Sequence, residues 1–290
     1  MSIENKVGII TDTGSSIRPD SQKVQELDIS VVPLDIKFFE NGQWISMPDT
    51  NISPNEFYTK MRSSDRLPQT SGAITGRINN LYQEIGQRHS SIISIHVTSQ
   101  HSAVWESAVL GSKLALEKNP HLLIEVVDSK QVSLGIWFLV EYAAQLANEG
   151  YPLEDIKRLV LETIPKTELY VSLSTLENIV KGGRLPSTAG YLGSKLHLKP
   201  IIGLENGKLK IQNITRTNQN AQKELIKRVE NTNRDITKLA IIHTNYPEGA
   251  EILRQNLAPI YSSNIRIFEA GPVLGVHAGE KAVGIAIQKA

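Results

Sequence analysis

Short runs of branched apolar residues alternate along this chain with stretches of helical period, and that alternation predicts most of its elements. VGIITD (7–12) and ISVVPLDIKFF (29–39) read as strands, because Val and Ile suit a buried pleated surface. Ser53-Pro54-Asn55-Glu56 is a capping box with proline at the first helical position, and it opens a helix through about Met61. A helical pattern at 75–88 precedes a strand at SIISIHV (91–97); another helix follows Ser102. LLIEVVD (122–128) is the next strand, followed by a helix ending at Gly150. Such alternation with short connections predicts a mainly parallel sheet flanked by helices.

The second half has a different rhythm. After a helix at 152–164 come a strand at ELYVSLS (168–174) and a short helix stopped by Gly182-Gly183. Glu205-Asn206-Gly207-Lys208, between strand-like flanks in IIGLENGKLKI (201–211), is a two-residue hairpin signal. Helices at 219–230 and 247–258 alternate with the strands TKLAIIHT and NIRIFEA. The fold class is therefore α/β: an N-terminal α/β domain over 1–160 and a C-terminal α+β domain over 161–290.

Composition narrows the chemistry. In 290 residues there are 31 basic and 30 acidic side chains, a formal charge of +1, and no long basic run, which gives nucleic acid no electrostatic footing. There is no cysteine, so disulfides, thiol catalysis and thiolate metal sites are excluded together. MSIENKVGIITDTG runs from charge straight into a strand and does not read as a signal peptide. No apolar segment approaches the roughly 20 residues that span a bilayer; SLGIWFLVEYAAQLANEG is interrupted by Glu141 and Gln145. A cytoplasmic protein without stable membrane insertion is the expectation.

Three hydroxyl-bearing segments fall where a parallel sheet presents its carboxyl ends: Thr11-Asp12-Thr13-Gly14-Ser15-Ser16, Pro68-Gln69-Thr70-Ser71-Gly72 (read as leading into a helix) and Thr98-Ser99-Gln100-His101-Ser102. Hydroxyls beside free N–H groups hold carboxylate or phosphate, and they also serve as plain helix caps. His277 lies in GPVLGVHAG (271–279), read as a glycine-rich turn between two strands. Asp12 reads as a structural acceptor for the turn after the first strand. His96 and His101 match no metal-site spacing and have no carboxylate nearby, so no metal is expected; His243 reads as a satisfied turn residue. Lys181-Gly182-Gly183-Arg184 reads as a helix end with its basic complement. The phosphate-loop, dinucleotide and nucleophile-elbow signatures are absent.

Taken in order, VGIITDTGSS, VVPLDIKF, NISPNEFYTKM, LPQTSG, SQHSAVWESA, VVDSKQVSLG, LENIVKGGRLPS, LKPIIGLENGKLK and GPVLGVHAG resemble the DegV family of bacterial fatty-acid-binding proteins along nearly the whole chain. The resemblance implies a two-domain architecture holding a long-chain fatty acid between the domains, with no other cofactor. It implies that Thr70, Ser102, the Ala103 N–H and His277 bind the carboxylate. It further implies a non-enzymatic carrier that presents the acid to a fatty-acid kinase for acyl-phosphate formation and phospholipid synthesis, with Arg184 contacting that kinase. Gly72, Ala73, Ala103, Val104 and Glu280-Lys281 depart from the family pattern around these positions. The alternative from another class is an acyl-ester hydrolase using Ser102 and His277, for which Glu280 is the one acid adjacent to the histidine in sequence.

Overall fold

The computed structural model describes residues 6–186, 198–232 and 235–290. The opening MSIEN and Ser187, which closes LENIVKGGRLPS, lie outside the described residues. In chain order the elements begin with β1 (Gly8–Asp12), α1 (Gln22–Glu26), β2 (Ile29–Val32), β3 (Asp35–Glu40), β4 (Gln43–Pro48), α2 (Pro54–Ser63), β5 (Gln69–Ser71) and α3 (Thr75–Ile85). They continue with β6 (Ser91–His96), α4 (Val104–Lys118), β7 (Leu123–Asp128), α5 (Leu134–Asn148), α6 (Leu153–Thr163), β8 (Thr167–Ser172) and α7 (Glu177–Lys181). The chain closes with β9 (Lys199–Glu205), β10 (Lys208–Thr215), α8 (Asn218–Thr232), β11 (Ile236–His243), α9 (Pro247–Leu257), β12 (Arg266–Glu269), α10 (Pro272–Ala278) and β13 (Val283–Lys289).

Packing divides these into two units, Met1–Asp35 with Ser71–Pro165 and Ile36–Thr70 with Lys166–Ala290. The expected division at 160 differs from this over residues 36–70, which group with the second unit; Thr70 and His277 therefore belong to the same unit. The physical cause lies at Pro33. ISVVPLDIKFF is two strands, not one, because proline has no N–H to continue the ladder. Its N-terminal part is β2, and the rest becomes β3 in another sheet. Arg77 fixes the exit, donating to Pro33 O and pairing with Asp35 at 3.0 Å.

The first unit is built on a parallel sheet in the order β2-β1-β6-β7, with α4, α5 and α6 against its strands. β1 and β6 are buried at every position, on both faces, so their sequences do not alternate apolar with solvent-facing polar residues, and their polar members Thr11, Asp12, Ser94 and His96 are hydrogen-bonded inside. The second unit holds a six-stranded mixed sheet, β10-β9-β8-β13-β11-β12, and a three-stranded sheet, β4-β3-β5. The β9–β10 hairpin turns at Asn206 and Gly207, both with positive φ (50° and 81°), the geometry that selects Asn-Gly. The capping box at Ser53 forms as expected and starts α2. Among the described residues no helix is long and apolar enough to cross a membrane.

Candidate functional site

His277 is not in a turn. It sits in the last turn of α10, a seven-residue helix with Gly271 as its N-cap, Pro272 at its first position and Gly279 (φ 70°) at its end. Proline inside the start and glycine past the end are a helix bracket, and that was the sequence signal available here. Thr70 likewise does not precede a helix as a cap; it is the middle residue of the three-residue strand β5. Thr70 Oγ1 and His277 Nε2 are 2.9 Å apart, 207 residues apart in sequence.

The imidazole is held closely. A Cβ on Gly182, at the end of α7, would lie 2.6 Å from His277 Nδ1, so only glycine leaves room for the ring where it stands. Asn178 Nδ2 donates to the carbonyl oxygen of Val276, the residue before His277 in α10. Gly275 faces α2, where a Cβ would meet Tyr58 Oη at 2.6 Å. Burial pushes the Tyr58 hydroxyl well above its ordinary range, so it stays neutral.

Thr70 and His277 open on a cavity of about 480 Å³ lined by Trp44, Arg66, Leu67, Pro68, Gln69, Lys181, Gly182 and Arg184 as well. Three of these side chains are cationic and none is acidic. Arg66 is stacked 3.9 Å from the Phe39 ring centroid, and Phe39 meets Trp44 edge-on at 5.4 Å. Lys181 pairs with Glu177 one turn back, and Arg184 Nη1 donates to Gly182 O at 2.6 Å. Burial lowers the Arg184 pKa from its ordinary value, which still leaves the guanidinium charged at neutral pH. A cavity of this make-up favours an anion whose head contacts a hydroxyl and an imidazole.

The remaining sequence candidates lie in the first unit. Ser102 and Ala103 connect β6 to α4, and no side chain caps that helix, so Ser102 is not its cap. Gly72 packs on this connection: a Cβ there would come within 2.8 Å of Ser102 Oγ and 2.9 Å of Val104 Cγ2. Ser107 Oγ donates to Gly72 O and fixes the approach. The space that a side chain at Gly72 would need is thus taken by Ser102 and Val104.

Asp12 has the structural role expected of it, accepting from the Gly14 and Val97 N–H groups and facing His96 Nδ1 at 2.9 Å. This corrects the reading of His96 as lacking a nearby carboxylate; the parallel pairing of β1 with β6 supplies one 84 residues away. On its other side His96 Nε2 meets Ser94 Oγ at 2.6 Å. Ser94, His96 and Asp12 therefore form a serine–histidine–aspartate chain, but all three are fully buried, and a buried serine cannot meet an acyl substrate. Glu280, the acid adjacent to His277 in sequence, is engaged by Arg62 and Asn245. His243 accepts from the Tyr246 N–H, as a satisfied turn residue should. Among the described residues, no group of three or more His, Cys, Asp or Glu is placed to hold a metal.

The chain matches the DegV family, described as one of uncharacterised proteins, over residues 6–290. It is 31% identical over 284 residues to a DegV domain-containing protein of Streptococcus pyogenes serotype M3, covering 97% of this chain and 98% of that relative. It is similar to the crystal structure of DegV from Bacillus subtilis, described as a fatty acid binding protein, with TM-score 0.86 and 25% identity over 99% of this chain and all (100%) of the other. A fatty acid binding DegV family protein from Streptococcus agalactiae has TM-score 0.84 and 27% identity, with 99% of this chain and 100% of that one covered.

Proposed function

The chain belongs to the DegV family, and we propose that it binds a long-chain fatty acid without acting on it chemically. The observation that carries this reading is the Thr70–His277 pair at the wall of a cavity with three cations and no acid. With the proton on Nε2, His277 donates to Thr70 Oγ1, and the threonine hydroxyl proton is then free to point at a carboxylate. The imidazole thus orients the donor. Ser102 Oγ and the Ala103 N–H, on the first unit, are proposed as further donors to the same carboxylate. Each methylene of the acyl chain removed from water contributes about 0.8 kcal/mol, so the chain supplies most of the affinity and the polar cluster fixes which end is which.

We propose further that the bound acid is presented to a kinase that forms an acyl phosphate for phospholipid synthesis, with Arg184 at the contact. The position of Arg184 on the same cavity wall as Thr70 and His277 supports this assignment.

Native mass spectrometry of protein purified from cells, followed by denaturing extraction, tests the ligand. A stoichiometric long-chain fatty acid is the expected result. Titration with added oleate then tests the residues: Ser102→Ala weakens binding by ~1.5–3 kcal/mol, the worth of a hydrogen bond to a charged group, and His277→Ala, which removes the partner that orients Thr70, by ~0.5–1.5 kcal/mol. An empty protein that ignores oleate, or one that turns over a chromogenic acyl ester and loses that activity in Ser102→Ala, overturns the reading.

A further inference from the structure

A second charged cluster stands behind His277. α10 ends at Gly279, and Glu280 follows directly. Glu280 Oε1 accepts from two donors on different elements: Arg62 Nη1 of α2 at 2.5 Å and Asn245 Nδ2, beyond β11, at 2.6 Å. Its backbone carbonyl accepts from Ser174 Oγ at 2.7 Å, and the next N–H, of Lys281 (φ 61°), donates to Thr244 O at 2.8 Å. The Glu280 side chain is the less exposed partner of the ion pair, at 22% against 51% for Arg62.

Local helix energetics do not explain a glutamate here. A carboxylate just past a helix C-terminus faces the negative end of the macrodipole. A helix of seven residues also has little stability of its own, because nucleation is costly and few bonds follow it. What fixes α10 is therefore its surroundings. α7 and α2 hold its flanks through Asn178, Gly182 and Tyr58, and its C-terminal end is tied down by Glu280.

We propose that Glu280 is a positioning residue for His277: by joining the end of α10 to Arg62 and Asn245, it sets the imidazole against Thr70. This rests on the fatty-acid reading only for its binding readout. Glu280 itself lines no part of the cavity.

The experiment is a double-mutant cycle with oleate as probe, combined with NMR of the His277 ring. Glu280→Ala is expected to weaken oleate binding about 3- to 10-fold, the range of one lost hydrogen bond. It should also shift the His277 imidazole signals in ligand-free protein. In a His277→Ala background the same substitution should change affinity by less than about 2-fold. Glu280→Gln, which keeps an acceptor for Asn245 and Arg62, should restore most of the binding. If Glu280→Ala fails to fold, Arg62→Gln carries the same cycle and the same ring readout. Unmoved His277 signals, or an equal loss with His277 absent, overturn the assignment. If the wild-type protein ignores oleate, the fatty-acid reading fails by itself, and the ring signals still decide whether Glu280 positions His277.

Discussion

Gly182→Ala isolates the placement of His277 from the stability of the fold. Gly182 has φ −72° and ψ −6°, a conformation any residue adopts, so alanine brings no backbone penalty. Its Cβ would nevertheless lie 2.6 Å from His277 Nδ1, 3.1 Å from Cε1 and 3.0 Å from the Asn178 carbonyl oxygen. Ordinary contact begins near 3.4 Å, so the ring must retreat by about 0.8 Å. A shift of that size is enough to spoil the 2.9 Å bond to Thr70, in length or in angle. The loss lies between ~0.5 kcal/mol for a neutral bond and ~3 kcal/mol where the pair holds a carboxylate, which is about 2- to 150-fold in affinity. Global stability should move by less than about 1 kcal/mol, since alanine's better helix propensity offsets part of the crowding. Gly183→Ala is the matching control. Gly183 has φ 75° and open space around its Cβ position, so alanine there strains the backbone by roughly 1–2 kcal/mol and touches nothing. Oleate displacement titrations and thermal unfolding of both variants give the answer. The reasoning fails if Gly182→Ala binds oleate like wild type with an unmoved His277 ring, or if Gly183→Ala loses affinity as strongly.

Thr70→Val keeps the shape of the side chain and removes the hydroxyl from His277; oleate titration should show affinity falling by ~1.5–3 kcal/mol, with no change if Thr70 serves β5 alone. Asp12→Ala strips the acceptor from two backbone N–H groups and from His96, all in fully buried surroundings, and should cost ~3–5 kcal/mol in urea unfolding. A cost below about 1 kcal/mol would mean that the buried chain from Ser94 to Asp12 is not a structural element. Burial lowers the His243 pKa, outweighing the opposing pull of Glu248, and its Nδ1 must stay unprotonated to accept from Tyr246. The unfolded chain takes its proton near about pH 6.5. Stability from this residue is therefore complete above that pH and is lost as pH falls through the lowered folded value. Thermal unfolding from about pH 8 to 5 should fall less steeply in His243→Gln; equal slopes would remove His243 from the acid response.

The parts of this fold that were legible in the sequence are those fixed by neighbours in sequence. The buried runs of β1 and β6, the Ser53 box and the Asn206-Gly207 turn each depend on a few adjacent residues, and each formed as read. Residues 36–70 group with the second unit, which the sequence does not announce, because an apolar run states that it is a strand and not which sheet receives it; Pro33 is the residue that marks the break. The contact of His96 with Asp12 was invisible for a related reason, since it exists only once β1 and β6 pair in a particular register. The candidate site is an extreme case of the same limit. Thr70 sits on a strand of three residues and His277 on a helix of seven, elements too short to be stable by propensity. Their geometry is set from outside, by the vacancy at Gly182, the Asn178 contact and the Glu280 tie. Resemblance pointed to Thr70 and His277 as binding residues but was silent on what holds them, because the holding contacts join α7, α2 and the segment after β11 to α10. It follows that substitutions at these supports should alter ligand affinity before they alter the fold, whereas substitutions in β1 or β6 should do the reverse.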